Sequence, residues 1–113
     1  MDSILTSIKK LLGIAEDYES FDNDIIMHIN TVFSILRQIG IGSEDGFVIE
    51  DKEATWDDFI TDEDDLLKIQ IIKTYVYQKV RLLFDPPTNA SFIEALNNSI
   101  KELEWRLYIE KDE

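Results

Sequence analysis

The segment from Asp62 to Leu83 constrains the fold most, because its polar side chains after the first turn fall on one narrow helical stripe. The stripe consists of Gln70, Lys73, Thr74, Gln78 and Arg81. Nearly all other residues after Asp65 in this segment are apolar, which is a wider apolar arc than one core-facing side of a helix needs. We therefore predict a long helix over residues 62–83, capped by Thr61, that is either central or shared with another subunit.

An N-terminal helix is predicted over residues 3–12. Its apolar side chains recur on one face, and they are Ile4, Leu5, Ile8, Leu11 and Leu12. Asp2 or Ser3 can cap the start of this helix, and Gly13 can end it.

A second helix is predicted over residues 23–39. Asp22 is the expected N-cap, and Gly40 is the expected stop. The inner face consists of Ile25, Ile29, Val32, Phe33 and Leu36.

The last predicted helix follows the sequence Phe84-Asp85-Pro86-Pro87, because each proline pushes the preceding residue out of the helical region. This helix begins near Thr88 or Ser91, where Ser91 and Glu94 can form a capping box. Its inner stripe consists of Phe92, Leu96, Ile100, Leu103 and Leu107.

Residues 41–60 break the helical pattern. The run 47–49 is strand-like and could pair with a neighbour as a small β-hairpin within residues 41–51. Trp56 and Phe59 are the only large apolar residues in the acidic stretch that follows, so we expect them to anchor it to the body of the protein.

These patterns together predict a mainly α protomer of four helices, with one domain over residues 1–113. No apolar run approaches the ~20 residues that span a bilayer. Lys9 and Lys10 interrupt the N-terminal apolar pattern, which is unlike a secretory signal. The absence of cysteine excludes disulfides and zinc–thiolate sites.

Negative charge is concentrated in one part of the chain. Residues 41–65 carry eleven acidic side chains and one basic side chain, a net charge of −10 in a chain whose total is −13. Duplex binding depends largely on Lys and Arg that neutralise phosphates. We therefore expect no sequence-specific nucleic-acid binding. A negatively charged wall that faces DNA and repels it is compatible with this charge.

The sequence offers little for catalysis or for cofactor binding. His28 is the only histidine, and its position beside Ile25 and Val32 places it at the edge of the core, with no assignable catalytic partner. The carboxylates of residues 57–65 lack the order of a calcium loop. Phosphate loops, dinucleotide turns and nucleophile elbows are also missing. We expect no enzymatic activity, no cofactor and no specific metal site.

Residues 74–87, TYVYQKVRLLFDPP, resemble the helix-to-proline signature of the phage head–tail connector family. Residues 102–107 resemble that family's terminal helix, and residues 21–30 and 32–40 resemble its second helix. Gly46-Phe47 and Trp56-Asp57-Asp58-Phe59 follow in the same order. The resemblance is collinear over nearly the whole chain.

The resemblance implies a structural virion protein at the head–tail interface, assembled in the host cytoplasm. Such protomers form a ring beneath the portal, usually a dodecamer, that extends the DNA channel. The implied partners are further copies of the chain, the portal protein and the next head-completion or tail-side protein. Neither a membrane nor specific nucleic acid is among them.

Two groups of residues are the expected sites of this assembly. Trp105 and Ile109 lie off the inner stripe of the last helix, where an aromatic side chain is a candidate subunit contact. The expected subunit or portal interface consists of Phe84, Asp85, Pro86, Pro87, Trp105, Arg106 and Ile109. The second group is an acidic belt that consists of Glu44, Asp45, Glu50, Asp51 and Glu53. This belt either faces the channel or lies on the outer rim of the ring.

Two other functions remain open from the sequence. An acidic DNA mimic would bind a basic enzyme surface, and a helical regulatory protein would also bind a basic partner. Neither accounts for Trp105 or for the corner at residues 84–87. Co-purification with portal protein or with a basic host enzyme would distinguish these possibilities.

Overall fold

Helices dominate the computed structural model, which describes the backbone of residues 2–112 and the side chains of residues 2–109. Within these residues the elements are α1 (Ile4–Leu12), α2 (Asp22–Ile39), α3 (Trp56–Phe59), α4 (Glu63–Leu66), α5 (Ile69–Phe84) and α6 (Ala90–Asp112). Four long helices are present, as predicted, although the third begins at Ile69 and not at Asp62; α3 and α4 are single turns. The mainly α fold class is therefore confirmed.

Local signals fix most ends of the long helices. Ser3 caps α1 through its hydroxyl, which accepts a hydrogen bond from the Thr6 amide at 3.2 Å, and Gly13 ends α1 in a left-handed conformation. Gly40 ends α2 in the same way. For α6, the Asn89 side-chain oxygen accepts hydrogen bonds from the amides of Ser91 and Phe92, so the capping box predicted at Ser91 is replaced by an asparagine cap.

The predicted N-cap of α2 was wrong by one residue. Asp22 lies inside the helix, and Phe21 occupies the cap position without a capping side chain. The reason is tertiary, because the Asp22 carboxylate forms an ion pair with Lys9 at 2.8 Å.

The predicted continuous helix over residues 62–83 is divided into α4 and α5. Asp62, not Thr61, caps α4 by accepting a hydrogen bond from the Asp64 amide at 2.7 Å. The Lys68 amide then donates to the Asp65 carbonyl three residues back, which tightens the chain before α5 begins. The Asp65 side chain is buried and accepts a hydrogen bond from the Gly42 amide at 3.4 Å. This hydrogen bond between α4 and the preceding loop cannot be predicted from helical periodicity.

The predicted hairpin near residues 41–51 does not form. The Asn30 side chain on α2 accepts a hydrogen bond from the Ile49 amide at 2.8 Å and donates one to the Ile49 carbonyl at 3.0 Å. The Asn30 side-chain amide thus provides the hydrogen-bond donor and acceptor that a neighbouring strand would provide. The only β pairing in the described part of the chain is an isolated bridge between Ser3 and Thr55.

Trp56 and Phe59 anchor the acidic segment, as predicted from their isolation in it. Both side chains are buried. Trp56 Nε1 donates to Ser7 Oγ on α1 at 3.2 Å, and the Phe59 ring stacks on Phe33 of α2 at 4.2 Å. A Cβ atom at Gly42 would lie 2.6 Å from the Phe59 ring, so only glycine permits the loop to pass this closely.

Lys9 is a buried cation that joins α1 to the segment leading into α2. Its side chain is 2% exposed. The ammonium group donates to the carbonyls of Glu16 at 3.0 Å and Tyr18 at 2.7 Å, and it pairs with Asp22. Three partners match its three protons, which explains how a charged side chain can occupy the apolar face of α1.

We predict that Lys9→Met lowers the free energy of unfolding by about 2–4 kcal/mol, because it leaves the partly buried Asp22 carboxylate and two carbonyls without their donor. The measurement is urea unfolding followed by circular dichroism. Lys10→Met is the matched control, since Lys10 is exposed on the same helix and should change stability by less than about 0.5 kcal/mol. Equal losses in both variants would contradict the structural role of Lys9.

Candidate assembly surfaces

The α5–α6 corner borders an open groove with aromatic walls. The Phe84 ring contacts Phe21 edge-on at 5.4 Å, and Phe21 in turn packs against Tyr18 at 5.5 Å. His28 lies 6.3 Å from Phe84, centroid to centroid, in the partly buried position expected at the core edge. The groove has a volume of about 500 Å³. This corner groove is lined by Leu12, Ile14, Phe21, Asp24, His28, Phe84 and Asp85.

A second apolar surface lies on the outer side of α6. The buried stripe consists of Leu96, Ile100 and Leu107. At 3.6 residues per turn, Trp105 lies about 160° around the axis from that stripe, and its side chain is 62% exposed. Tyr108 is 55% exposed beside it. We call the side of α6 that carries Lys101, Trp105 and Tyr108 the outer face.

The remaining residues of the expected interface are also at the surface. Ile109 is 37% exposed. Arg106 forms an exposed ion pair with Glu102 at 2.9 Å, a type of pair that contributes little to stability. Asp85 and Pro86 are exposed and Pro87 is partly buried.

The structure does not place these residues in one patch. The prolines precede the first turn of α6, whereas Trp105 lies about 22 Å further along the axis, at 1.5 Å per residue from Ala90. The expected interface is therefore divided into two separate surfaces, one at the corner before α6 and one around Trp105, and the separation follows from the length of the helix between them.

The five side chains of the acidic belt are all exposed. Local bonds hold the loop that carries them. Arg37 Nε donates to the Glu44 carbonyl at 2.7 Å, and the Asp51 carboxylate accepts a hydrogen bond from the Glu53 amide at 2.8 Å. Asn30 fixes the middle of the loop through Ile49. The belt is therefore a charged surface on an ordered support.

A polar group is also enclosed between α5 and α6. Tyr75 is fully buried, and its hydroxyl has no hydrogen-bond partner among the described residues. Burial first, and then the negative charge of Glu104, raise the pKa of the Tyr75 phenol far above its usual value. Tyr75 therefore remains neutral, and helical periodicity does not reveal that this buried position carries an unpaired hydroxyl.

Neither a metal centre nor a membrane segment is seen in the described part of the chain. No three histidine or carboxylate side chains there converge in a way that could hold a metal ion. None of the described helices is long and apolar enough to cross a membrane.

A family model described as phage connector protein matches residues 4–113. The chain belongs to the phage connector protein family. Comparisons with curated proteins and with solved structures found no match. The family is one of structural proteins, and membership confirms the resemblance of residues 74–87 and the other segments to phage connectors. A connector assembles with other virion proteins, so the corner groove, the outer face and the acidic belt are its candidate contact surfaces.

Sequence reasoning missed three residues that shape this connector. Lys9 and Asn30 form their key bonds with residues in loops whose path the sequence does not reveal. Tyr108 is exposed next to Trp105, and its position off the inner stripe of α6 was the signal that could have identified it.

We predict that Asn30→Ala releases the loop that carries the belt. The variant loses both hydrogen bonds to Ile49 and should be less stable by about 1–3 kcal/mol. Lys52 is the only basic residue within residues 41–65, so limited trypsin digestion followed by mass spectrometry should show faster cleavage after Lys52. Asn98→Ala, at an exposed position on α6, is the control. An unchanged rate of cleavage after Lys52 would show that Asn30 does not hold the loop.

Proposed function

We propose that this connector protein forms a ring beneath the portal of a tailed phage, as a dodecamer in the virion, and extends the DNA channel at the head–tail interface. One side of the ring binds the portal protein, and the other recruits the next head-completion or tail-side protein. The chain acts as one domain, because its long helices contribute to one hydrophobic core. Assembly takes place in the host cytoplasm.

The exposure of Trp105 is the observation that carries this proposal. A large aromatic side chain lies opposite the buried stripe of α6, although the core contains Trp56 and Phe33 at full or nearly full burial. Aromatic residues of this kind are enriched at the energetic centres of protein interfaces. In a family of structural virion proteins, a contact with another subunit is the use that fits.

The proposed role is architectural, and we expect no catalytic turnover. His28 packs at the edge of Phe84, and the chain has no cysteine nucleophile. Membership of the phage connector family and the exposed Trp105 favour this role over an acidic DNA mimic or a regulatory protein. Electron microscopy of the purified protein, with and without portal protein, tests the ring directly. Absence of rings even with portal protein present would refute the proposal.

The acidic belt is proposed to face the channel. In a ring, symmetry repeats the exposed carboxylates around the lumen, and the summed field repels the phosphate backbone. Packaged DNA can then pass without adhering. The alternative position, on the outer rim, would make the belt a solubility feature only.

We predict that Trp105→Ala leaves the fold intact and weakens assembly. Truncation of a central interface aromatic typically costs ~2 kcal/mol or more, which corresponds to roughly a 30-fold weaker contact. Analytical ultracentrifugation and portal binding measure the loss, and circular dichroism checks the fold. Met27→Ala is the control, since Met27 is 58% exposed on α2. If Trp105→Ala unfolds the protein while the folded fraction assembles normally, Trp105 has a role in the fold and not in assembly.

We predict that reversing the belt charges to lysine yields rings that retain DNA. The retention should fall steeply as salt rises, because phosphate contacts release counterions. DNA retention on purified rings is measured by filter binding over a salt series. The substituted residues are Glu44, Asp45, Glu50, Asp51 and Glu53.

A matched pair of triple variants controls for net charge. Reversal of Glu50, Asp51 and Glu53 is compared with reversal of Glu16, Asp17 and Glu19, which are exposed in the α1–α2 loop. Both triples change the charge by the same amount. If rings of the belt variant do not retain DNA, and phage that carry the variant have normal infectivity, the belt lies outside the channel.

A further inference from the structure

We infer that neighbouring copies of the chain meet head to tail, with the outer face of α6 in one copy seated in the corner groove of the next. This inference rests on the proposed ring and assigns the two surfaces that form its subunit contact. The occupant of the groove is thus a second copy of this chain, and not the portal protein or a tail protein.

The corner groove has the shape and chemistry to receive an aromatic side chain next to a cation. Its walls are the aromatic rings of Phe21 and Phe84 with the aliphatic side chains of Leu12 and Ile14, around a volume of about 500 Å³. Phe21 is 41% exposed, so part of this apolar wall meets water in the isolated chain. The His28 imidazole and the carboxylates of Asp24 and Asp85 complete the lining, and both carboxylate residues are exposed.

The outer face of α6 carries the complementary groups. Trp105 and Tyr108 are its large exposed aromatic side chains. Lys101 is exposed and lies one helical turn before Trp105, on the same side of the helix. A docked outer face would bury the aromatic rings against Phe21 and Phe84 and bring Lys101 towards the carboxylates of the groove. The groove and the outer face therefore match in apolar character, and Lys101 supplies a positive charge to set against the two carboxylates of the groove.

The positions of the two surfaces favour a ring over a closed dimer. The groove reaches Asp85, just before α6, whereas Trp105 lies about 22 Å along the α6 axis from Ala90, in a chain with principal extents of 39 × 35 × 20 Å. A copy that places its outer face in a neighbour's groove leaves its own groove free for a third copy. Heterologous contacts of this kind continue from copy to copy until the rotation closes a ring.

Site-directed crosslinking tests this contact, because the chain has no natural cysteine. Lys101→Cys and Asp85→Cys variants of the full chain are prepared separately and mixed with a short bismaleimide. We expect crosslinked dimers in the mixture and far fewer in either variant alone. A chain that carries both substitutions should give a ladder of oligomers, since each copy then has both partners of the contact. Circular dichroism confirms that each variant is folded.

The control pair is Ser34→Cys mixed with Asp85→Cys, because Ser34 is exposed on α2 and belongs to neither surface. Tryptophan fluorescence gives a second measurement. Trp56 is buried and Trp105 is 62% exposed, so assembly should shift the emission of Trp105 to shorter wavelength. The shift should be absent in Trp105→Phe.

The outcomes separate this inference from the proposed function. Suppose that rings are visible by electron microscopy but the Lys101→Cys and Asp85→Cys variants crosslink no more than the control pair. That result would overturn the head-to-tail contact and leave the proposed ring intact. Crosslinking of Lys101→Cys to itself at the level of the mixture would also overturn it, since that result indicates a symmetric contact. Absence of rings with portal protein present would refute the proposed function, and the inference with it.

Discussion

Trp56 and Phe59 bring the most acidic part of the chain into contact with the helical core, and much of the structure depends on that contact. Trp56 is hydrogen-bonded to Ser7 on α1, and Phe59 stacks on Phe33 of α2. The backbone around Trp56 also pairs with the start of α1, through the Ile4 amide and the Ala54 carbonyl at 3.0 Å. Without these apolar anchors, eleven carboxylates within residues 41–65 would favour a solvated, extended chain.

The same anchors explain how the belt can be both highly charged and ordered. Buried aromatic side chains supply the favourable free energy, while the carboxylates of the belt remain in water, where their charge costs little. Asp65 is the exception within this segment, since its buried side chain binds the Gly42 amide. A loop fixed in this way presents its charges at defined positions, which is what a channel wall would need.

Apolar side chains at the surface are distributed in a way that suits an assembling protein. The α6 helix devotes one side to the core and exposes Trp105 and Tyr108 on the other. At the far end of the same helix, Phe84 and Phe21 line an open groove. Exposed rings contribute no burial energy to the isolated chain, and clustered exposed apolar side chains often mark contact surfaces.

The sequence alone determined the helical class, the presence of four long helices and the glycine ends at Gly13 and Gly40, because these depend on periodicity and on residues within one turn. It left the first cap open between Asp2 and Ser3. It also indicated Trp105 as a surface aromatic and Trp56 and Phe59 as anchors. Only the tertiary structure decided the division of α4 from α5, the replacement of a hairpin by the Asn30 side chain, and the burial of Lys9. Each of these depends on contacts between residues in different elements, and local patterns carry no information about such contacts.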